Sequence, residues 1–395
     1  MKTDKNYVKK TNKDKLRERY QPKPEFVERI EKLIGKEDAK KFFEISYFAC
    51  PDIVRVNTIK ISPEKLKKKL EEKGWIIEQP YQEWPEVFLI KKESNLKPGD
   101  LGKTTEHLLG YYYVQEISSM LPVFVLSPTE NDLYLDLCAS PGSKTTQAGA
   151  MMSNKGTIIA NEVSLGRIKI LNANLEKCGV SNTMVIRKDG VQFCKRWARE
   201  IKIQFDKILV DAPCSGEGTL RKSPKTFDMW NLKFINALSS VQKKLASEAL
   251  KLLKVGGEMI YSTCTLAPEE DEFVVDYLKK NFDIEIMKVE LPLKTRDGVV
   301  EWGETTASSS TKPAVKGEKL DDEIKNCVRV YPQDNNSDGF FLAKIKKLSD
   351  KCLLVEEDRF DKFQKRYESH QGVSSAEQNA EELKMVVEDE MGDEE

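Results

Sequence analysis

The 395-residue chain carries 64 Lys and Arg against 65 Asp and Glu, with 39% hydrophobic residues. That is enough apolar material for two or three domains, the central one with a substantial core. No run approaches the roughly 18 apolar residues a membrane span needs, and the lysine-rich start has no hydrophobic signal segment, so a cytoplasmic protein without membrane association is expected.

Eight cysteines without any C-x-x-C pair argue against a disulfide framework or a zinc site, and no metal is expected. Charge is unevenly placed. Residues 1–24 hold nine Lys or Arg against three acids, whereas residues 371–395 hold nine acids against one lysine. The first segment reads as a basic disordered arm suited to a polyanion through counterion release. Residues 349–395 read as a helix followed by an acidic disordered tail. A merely solubilising role is the plainer alternative for both ends.

From residue 25 to 47, Phe26, Ile30, Leu33, Ile34, Phe42 and Phe43 recur at helical intervals and predict one or two amphipathic helices. Residues 53–61 are β-rich, after which Ser62 supplies an N-cap and Pro63 a first-turn residue for another helix. Strand-like runs near 75–77 and 87–90 complete a small α+β unit, which places an accessory domain at 25–100. Tyr111, Tyr112 and Tyr113 read as a packed strand rather than a base-stacking platform, and 117–126 as a helix.

Beyond Asn131 strands alternate with helices, the mark of an α/β fold with a doubly wound, Rossmann-like sheet. Strands are predicted at 133–137, 156–161, 184–188, 205–211 and 257–262, with helices at 143–152, 165–178, 192–199 and 231–253. A carboxyl-terminal pair at 328–331 and 339–345 would finish a catalytic domain spanning 101–348. Residues 303–319, with three adjacent serines and no periodicity, read as a flexible insertion.

Each core strand ends beside a polar motif, where such folds place ligands. Asp136 to Lys144 closes the first strand and opens a helix, with Gly142 allowing close backbone approach. This turn follows neither G-x-G-x-x-G nor the phosphate-binding G-x-x-x-x-G-K-[ST] pattern, so a cofactor without phosphates, such as S-adenosylmethionine, fits better than NAD or ATP. Glu162 at the second strand end is placed to accept two ribose hydroxyls, and Asp189 at the third to receive an adenine amino group. Singly, each acid would be read as merely solvated.

Cys214, in Asp-Ala-Pro-Cys-Ser-Gly, and Cys264, in Tyr-Ser-Thr-Cys-Thr, follow the fourth and fifth strands and would face the same pocket. Lone cysteines are mostly buried and inert, and Cys50, Cys138, Cys178, Cys194, Cys327 and Cys352 are left in that class for thiol chemistry. Two thiols beside a methyl donor suit methylation of a pyrimidine carbon. Cytosine C5 is a poor nucleophile until a thiolate adds at C6, and a second group must then help remove the C5 proton so that the thiolate can leave. Asp211 could hold N3 and the amino group of the base. His107 and His370 both lie outside the core, so local dipoles, Lys144 or a sulfonium charge must favour the thiolate.

The blocks at 136–145, 211–218 and 261–272 resemble the signature blocks of the NOL/NOP/Sun family of RNA 5-methylcytosine methyltransferases. Arg55-Val56-Asn57-Thr58, Tyr113-Val114-Gln115-Glu116 and Gly339-Phe340-Phe341 resemble further family blocks, and together they cover roughly 51–346. The resemblance implies an S-adenosylmethionine-dependent RNA cytosine-C5 methyltransferase in which Cys264 is the nucleophile and Cys214 assists product release. It implies cofactor contacts at Cys138, Ala139, Ser140, Pro141, Gly142, Ser143, Lys144, Glu162, Arg167, Asp189 and Asp211, with Lys144 beside the catalytic Asp211. Ser140 and Ser143 stand where alanine and glycine are common in the family. The expected partner is RNA, with tRNA favoured over ribosomal RNA, acted on by a monomer. A ribosomal RNA enzyme, a non-catalytic RNA-binding assembly factor and a DNA cytosine methyltransferase are the competing readings.

Overall fold

A nine-stranded sheet carries the molecule, and the computed structural model describes residues 12–91, 99–303 and 318–352. Its strands are β1 (Leu133–Asp136), β2 (Thr157–Asn161), β3 (Thr183–Ile186), β4 (Phe205–Asp211), β5 (Leu253–Thr263), β6 (Phe282–Met287), β7 (Arg296–Asp297), β8 (Val328–Val330) and β9 (Phe340–Cys352). They lie in the order β7-β8-β9-β5-β4-β1-β2-β3, with β6 paired to β9. From β3 to β5 the neighbours are parallel, and β9 returns antiparallel to β5. The chain moves outward from β1 to β3 and then comes back to β4 on the other side of β1. That reversal opens a crevice at the carboxyl ends of β1 and β4, the usual ligand position of a doubly wound sheet.

The central strands are apolar without alternation because helices cover both faces. Leu135, Ile208, Leu209 and Val210 are all buried. The covering helices include Ser143–Met151, Leu165–Cys178, Gly190–Glu200 and Leu232–Leu252. Three begin at side-chain caps, from Ser164, Asp189 and Asn231, which satisfy otherwise orphaned backbone N–H groups.

The expected α/β Rossmann-like sheet is present, with a helix and strand that the sequence reading did not anticipate. Helix Glu272–Asn281 buries Val274, Val275 and Leu278 and leads into β6. The small unit has its own sheet of Ile77–Glu78, Val87–Ile90, Asp52–Val56 and Tyr112–Val114, in that spatial order. Its last strand comes from the tyrosine segment, beyond the expected boundary at 100, because Tyr112 and Tyr113 pair with Val56 and Arg55.

Helices Pro24–Ile34 and Lys36–Ile45 pack elsewhere, against Phe227 and Trp230 of the large unit, with Phe26 stacked on Trp230 at 5.1 Å. Residues Asn12–Arg19 form a helix where a disordered arm was expected. Strong helix formers fill it, Leu16 packs on the same aromatic cluster and Arg17 lies over the Tyr47 ring. Residues 1–11 of the arm, 304–317 of the insertion and 353–395 of the tail lie outside the described residues. The described residues up to Lys351 make one compact unit, and none of their helices is long and apolar enough to cross a membrane.

Candidate active site

Register brings the two cysteines together. Asp211 and Ser262 are partners across the parallel strands β4 and β5, so the chain leaving each strand enters the same crevice. Cys214 Sγ and Cys264 Sγ lie 3.2 Å apart as free, partly exposed thiols. The bond from its partner thiol and burial both push the Cys214 thiol well up, keeping it protonated. Ser215 Oγ and Thr265 Oγ1, 2.8 Å apart, link the two turns one residue further on.

Asp211 projects into the same crevice. Its Oδ2 is 2.7 Å from Lys144 Nζ and its Oδ1 accepts from Ser262 Oγ at 2.7 Å. Lys144 also donates to Ser119 Oγ at 3.2 Å and sits over the Phe340 ring. The ammonium is therefore committed first to the carboxylate. Ser119 and Ser262 are positioning groups the sequence reading did not single out, although Ser262 lies inside the cysteine motif.

Two glycines close this half of the site. A Cβ on Gly218 would lie 2.2 Å from Gly339 O and 2.6 Å from Cys264 O. Backbone bonds run from Gly218 N to Cys264 O and from Gly339 N to Gly218 O, each 2.9 Å. The Gly339-Phe340-Phe341 block thus allows β9 to cross directly against the Cys214 loop.

The other half of the crevice is the turn after β1. Gly142, at φ +104°, sits at the start of helix Ser143–Met151, and a Cβ there would meet Leu171 at 2.9 Å. The turn is pinned residue by residue. Ala139 N donates to Asn161 O at 2.9 Å, Arg167 Nη2 to Ser140 O at 2.9 Å and Asn174 Nδ2 to Pro141 O at 2.9 Å. Glu162 accepts from Ser164 N at 2.8 Å and lies 3.8 Å from Arg167. Asp189 is exposed and caps its helix by accepting from Gln192 N at 2.9 Å. Cys138 lies among these acids, its thiol pushed well up by burial and by Asp136 and Glu162.

Asp136 is buried, pushed up to about 7 by burial, and takes a 2.7 Å bond from Thr145 Oγ1 on one oxygen while the other has no hydrogen-bond partner. Acids at three strand ends around a glycine turn suit a cationic ligand with ribose hydroxyls. S-adenosylmethionine meets that description, and Glu162, Asp189 and the 138–144 turn are the residues that would hold it. Among the described residues no cluster suited to a metal ion occurs.

The remaining resemblance blocks have structural work. Arg55, buried on the small sheet, donates to Ser143 O at 2.8 Å, Thr146 Oγ1 at 2.9 Å and the Gln115 side chain. Burial pulls its guanidinium down to about 10. Asn57 Nδ2 donates to Gly110 O at 2.8 Å and Cys178 O at 2.7 Å. The small unit is thereby stapled to the helix that follows the glycine turn. His107, beside Lys177, is pulled down to about 4 chiefly by burial.

Comparison with known proteins matches this arrangement to one family. Residues 123–346 match the family model described as 16S rRNA methyltransferase RsmB/F, and residues 23–117 match the N-terminal domain of 16S rRNA methyltransferase RsmF. A tRNA (cytosine(49)-C(5))-methyltransferase of Pyrococcus abyssi is 38% identical over 81% of this chain and 95% of its own length. Ribosomal RNA small subunit methyltransferase F of Vibrio cholerae is 38% identical over 80% of this chain. The chain spans 62% of that relative's length. A solved structure described as a methyltransferase homolog from Pyrococcus horikoshii, 33% identical, superposes with a TM-score of 0.68 over 86% of this chain and 100% of that one. The chain belongs to the NOL/NOP/Sun (RsmB/F) family of S-adenosylmethionine-dependent RNA 5-methylcytosine methyltransferases.

Proposed function

We propose that the protein transfers a methyl group from S-adenosylmethionine to C5 of a cytosine in RNA, with Cys264 as nucleophile and Cys214 assisting release. The observation that carries this reading is the 3.2 Å thiol pair beside the Lys144–Asp211 ion pair, at the ends of adjacent strands. When bound, the cofactor supplies an electrophilic methyl group on a sulfonium.

The chain's own residues do the rest. The Cys264 thiolate forms a bond to C6 of the base, and the displaced electron pair makes C5 nucleophilic. Asp211, fixed by Lys144 and Ser262, holds the N3 and amino edge and steadies the charge that develops there. After methylation a base takes the C5 proton, the C–H electron pair restores the C5–C6 double bond, and the C6–S bond breaks to return a Cys264 thiolate with Cys214 in contact with that sulfur. The base has to be unpaired or flipped to reach these groups. A working pair of thiols suits a reducing, cytoplasmic setting. The reading takes a monomer, with the small unit and basic amino-terminal segment as the RNA-binding part.

The tRNA reading rests on likeness to the archaeal relative, matched over 95% of its length. Ribosomal RNA is the second reading, favoured by the family descriptions. Labelled methyl transfer to unmodified tRNA and to small-subunit ribosomal RNA separates them. In the same assay Cys264→Ala should abolish transfer and Cys214→Ala should leave RNA covalently bound to the protein. Full activity of Cys264→Ala would overturn the assignment.

A further inference from the structure

The acidic run Glu269-Glu270-Asp271-Glu272 just after Cys264 is not a solvated surface. Glu270, Asp271 and Glu272 are completely buried. Each side chain braces something different. Glu272 takes two bonds from Arg329, at 2.6 and 2.5 Å. Asp271 accepts from Thr263 Oγ1 at 2.6 Å, next to Cys264.

Glu270 turns to the other cysteine. Its Oε2 accepts from Ser215 N at 3.0 Å and from Gln242 Nε2 at 2.8 Å. Gln242 Nε2 also donates to Pro213 O at 2.9 Å, so the residues on both sides of Cys214 are held by one carboxyl group and one amide. Glu270 Oε1 is buried and has no hydrogen-bond partner. The backbone of Glu270 serves the other loop, its carbonyl accepting from Tyr261 OH at 2.5 Å. The side chain is therefore dedicated to the Cys214 turn, while Cys264 is held through Asp271 and through Gly218 N.

We infer that Glu270, together with Gln242, is a positioning residue that sets Cys214 for product release. This rests on the reading above, in which Cys214 serves release and Cys264 attack. Loss of the clamp frees the Pro213-Cys214-Ser215 turn and leaves the grip on Cys264 in place, so release suffers more than the first methyl transfer.

The test compares single-turnover with steady-state methyl transfer to RNA and follows the covalent protein–RNA adduct on denaturing gels. In Glu270→Ala and in Gln242→Leu the ratio of first-turnover to steady-state rate should rise about tenfold, with adduct accumulating. Gln242→Leu keeps the question answerable if Glu270→Ala fails to fold. Glu270→Gln, whose amide oxygen can accept the same two bonds, should return the ratio to within about threefold of the parent. Equal loss of both rates in Glu270→Ala and Gln242→Leu, or no adduct in either, overturns the inference. Cys214→Ala separates the two levels. If it traps RNA while the clamp variants do not, only the role of Glu270 fails. If Cys214→Ala traps nothing, the reading of Cys214 itself fails.

Discussion

The two halves of the crevice are built by opposite rules. On the glycine-turn side the acids, buried at Glu162 and exposed at Asp189, are satisfied by neighbours a few residues along their own chain. Asp189 caps its own helix, and Glu162 accepts from Ser164 two residues on. On the cysteine side the groups are braced from afar through buried side chains, as when Arg329 reaches Glu272 and Gln242 reaches Glu270. On the proposed reading, a cofactor that must enter and leave is met by groups whose bonds are easily exchanged. Covalent chemistry demands thiols held to a fraction of an ångström, and only a buried network supplies that.

Asp211 is the sharpest place to break this contrast, since it stands on the cysteine side yet is paired by Lys144 of the cofactor helix. Asp211→Asn should cut kcat by roughly 100- to 1000-fold with little change in the cofactor KM, measured by steady-state methyl transfer. A defect confined to the cofactor KM would move Asp211 to the other half. Glu162→Gln should do the reverse, raising the cofactor KM about tenfold with kcat held within about twofold. A collapse in kcat there would erase the distinction.

The smallest effect concerns stability and pH. Burial pushes Glu270 up to about 8 from an ordinary 4.5. Between those values the folded protein keeps a proton that the unfolded chain has lost, so stability is greatest below the lower value and falls as pH rises through the upper one. The fall is on the order of 1 kcal/mol per pH unit. Glu270→Gln should flatten the decline in Tm between about pH 5 and 8 in thermal melts. An unchanged slope would show that this carboxyl does not set it.

Much of the sheet was readable because its strands are short apolar runs that stop at polar motifs. The helix Leu165–Cys178 and strand β4 fell where periodicity put them. The cysteine convergence was readable for the same reason, since parallel neighbours end at the same rim. The acidic run was not. Four acids in a row look solvated, and the burial of the last three depends on partners such as Arg329, 57 positions away from Glu272. Arg55 was named only within a resemblance block, and its task was not readable because that work is done on the Ser143 carbonyl, 88 positions on. The last strand of the small sheet was seen as a strand but placed beyond the boundary at 100, since its pairing with residues 54–56 leaves no periodic trace. The helix at 12–19 was hidden by its charge, for Leu16 and Arg17 anchor it on an aromatic cluster distant in sequence.

The 3.2 Å between the two sulfurs has a consequence for charge. Two thiolates at that separation would repel by about 5 kcal/mol at an effective dielectric near 20. The two sulfurs therefore do not carry a negative charge each at the same time. On the proposed reading the protonated Cys214 thiol leaves the single negative charge of the pair to Cys264, whose sulfur is anionic before attack and again once the base is let go.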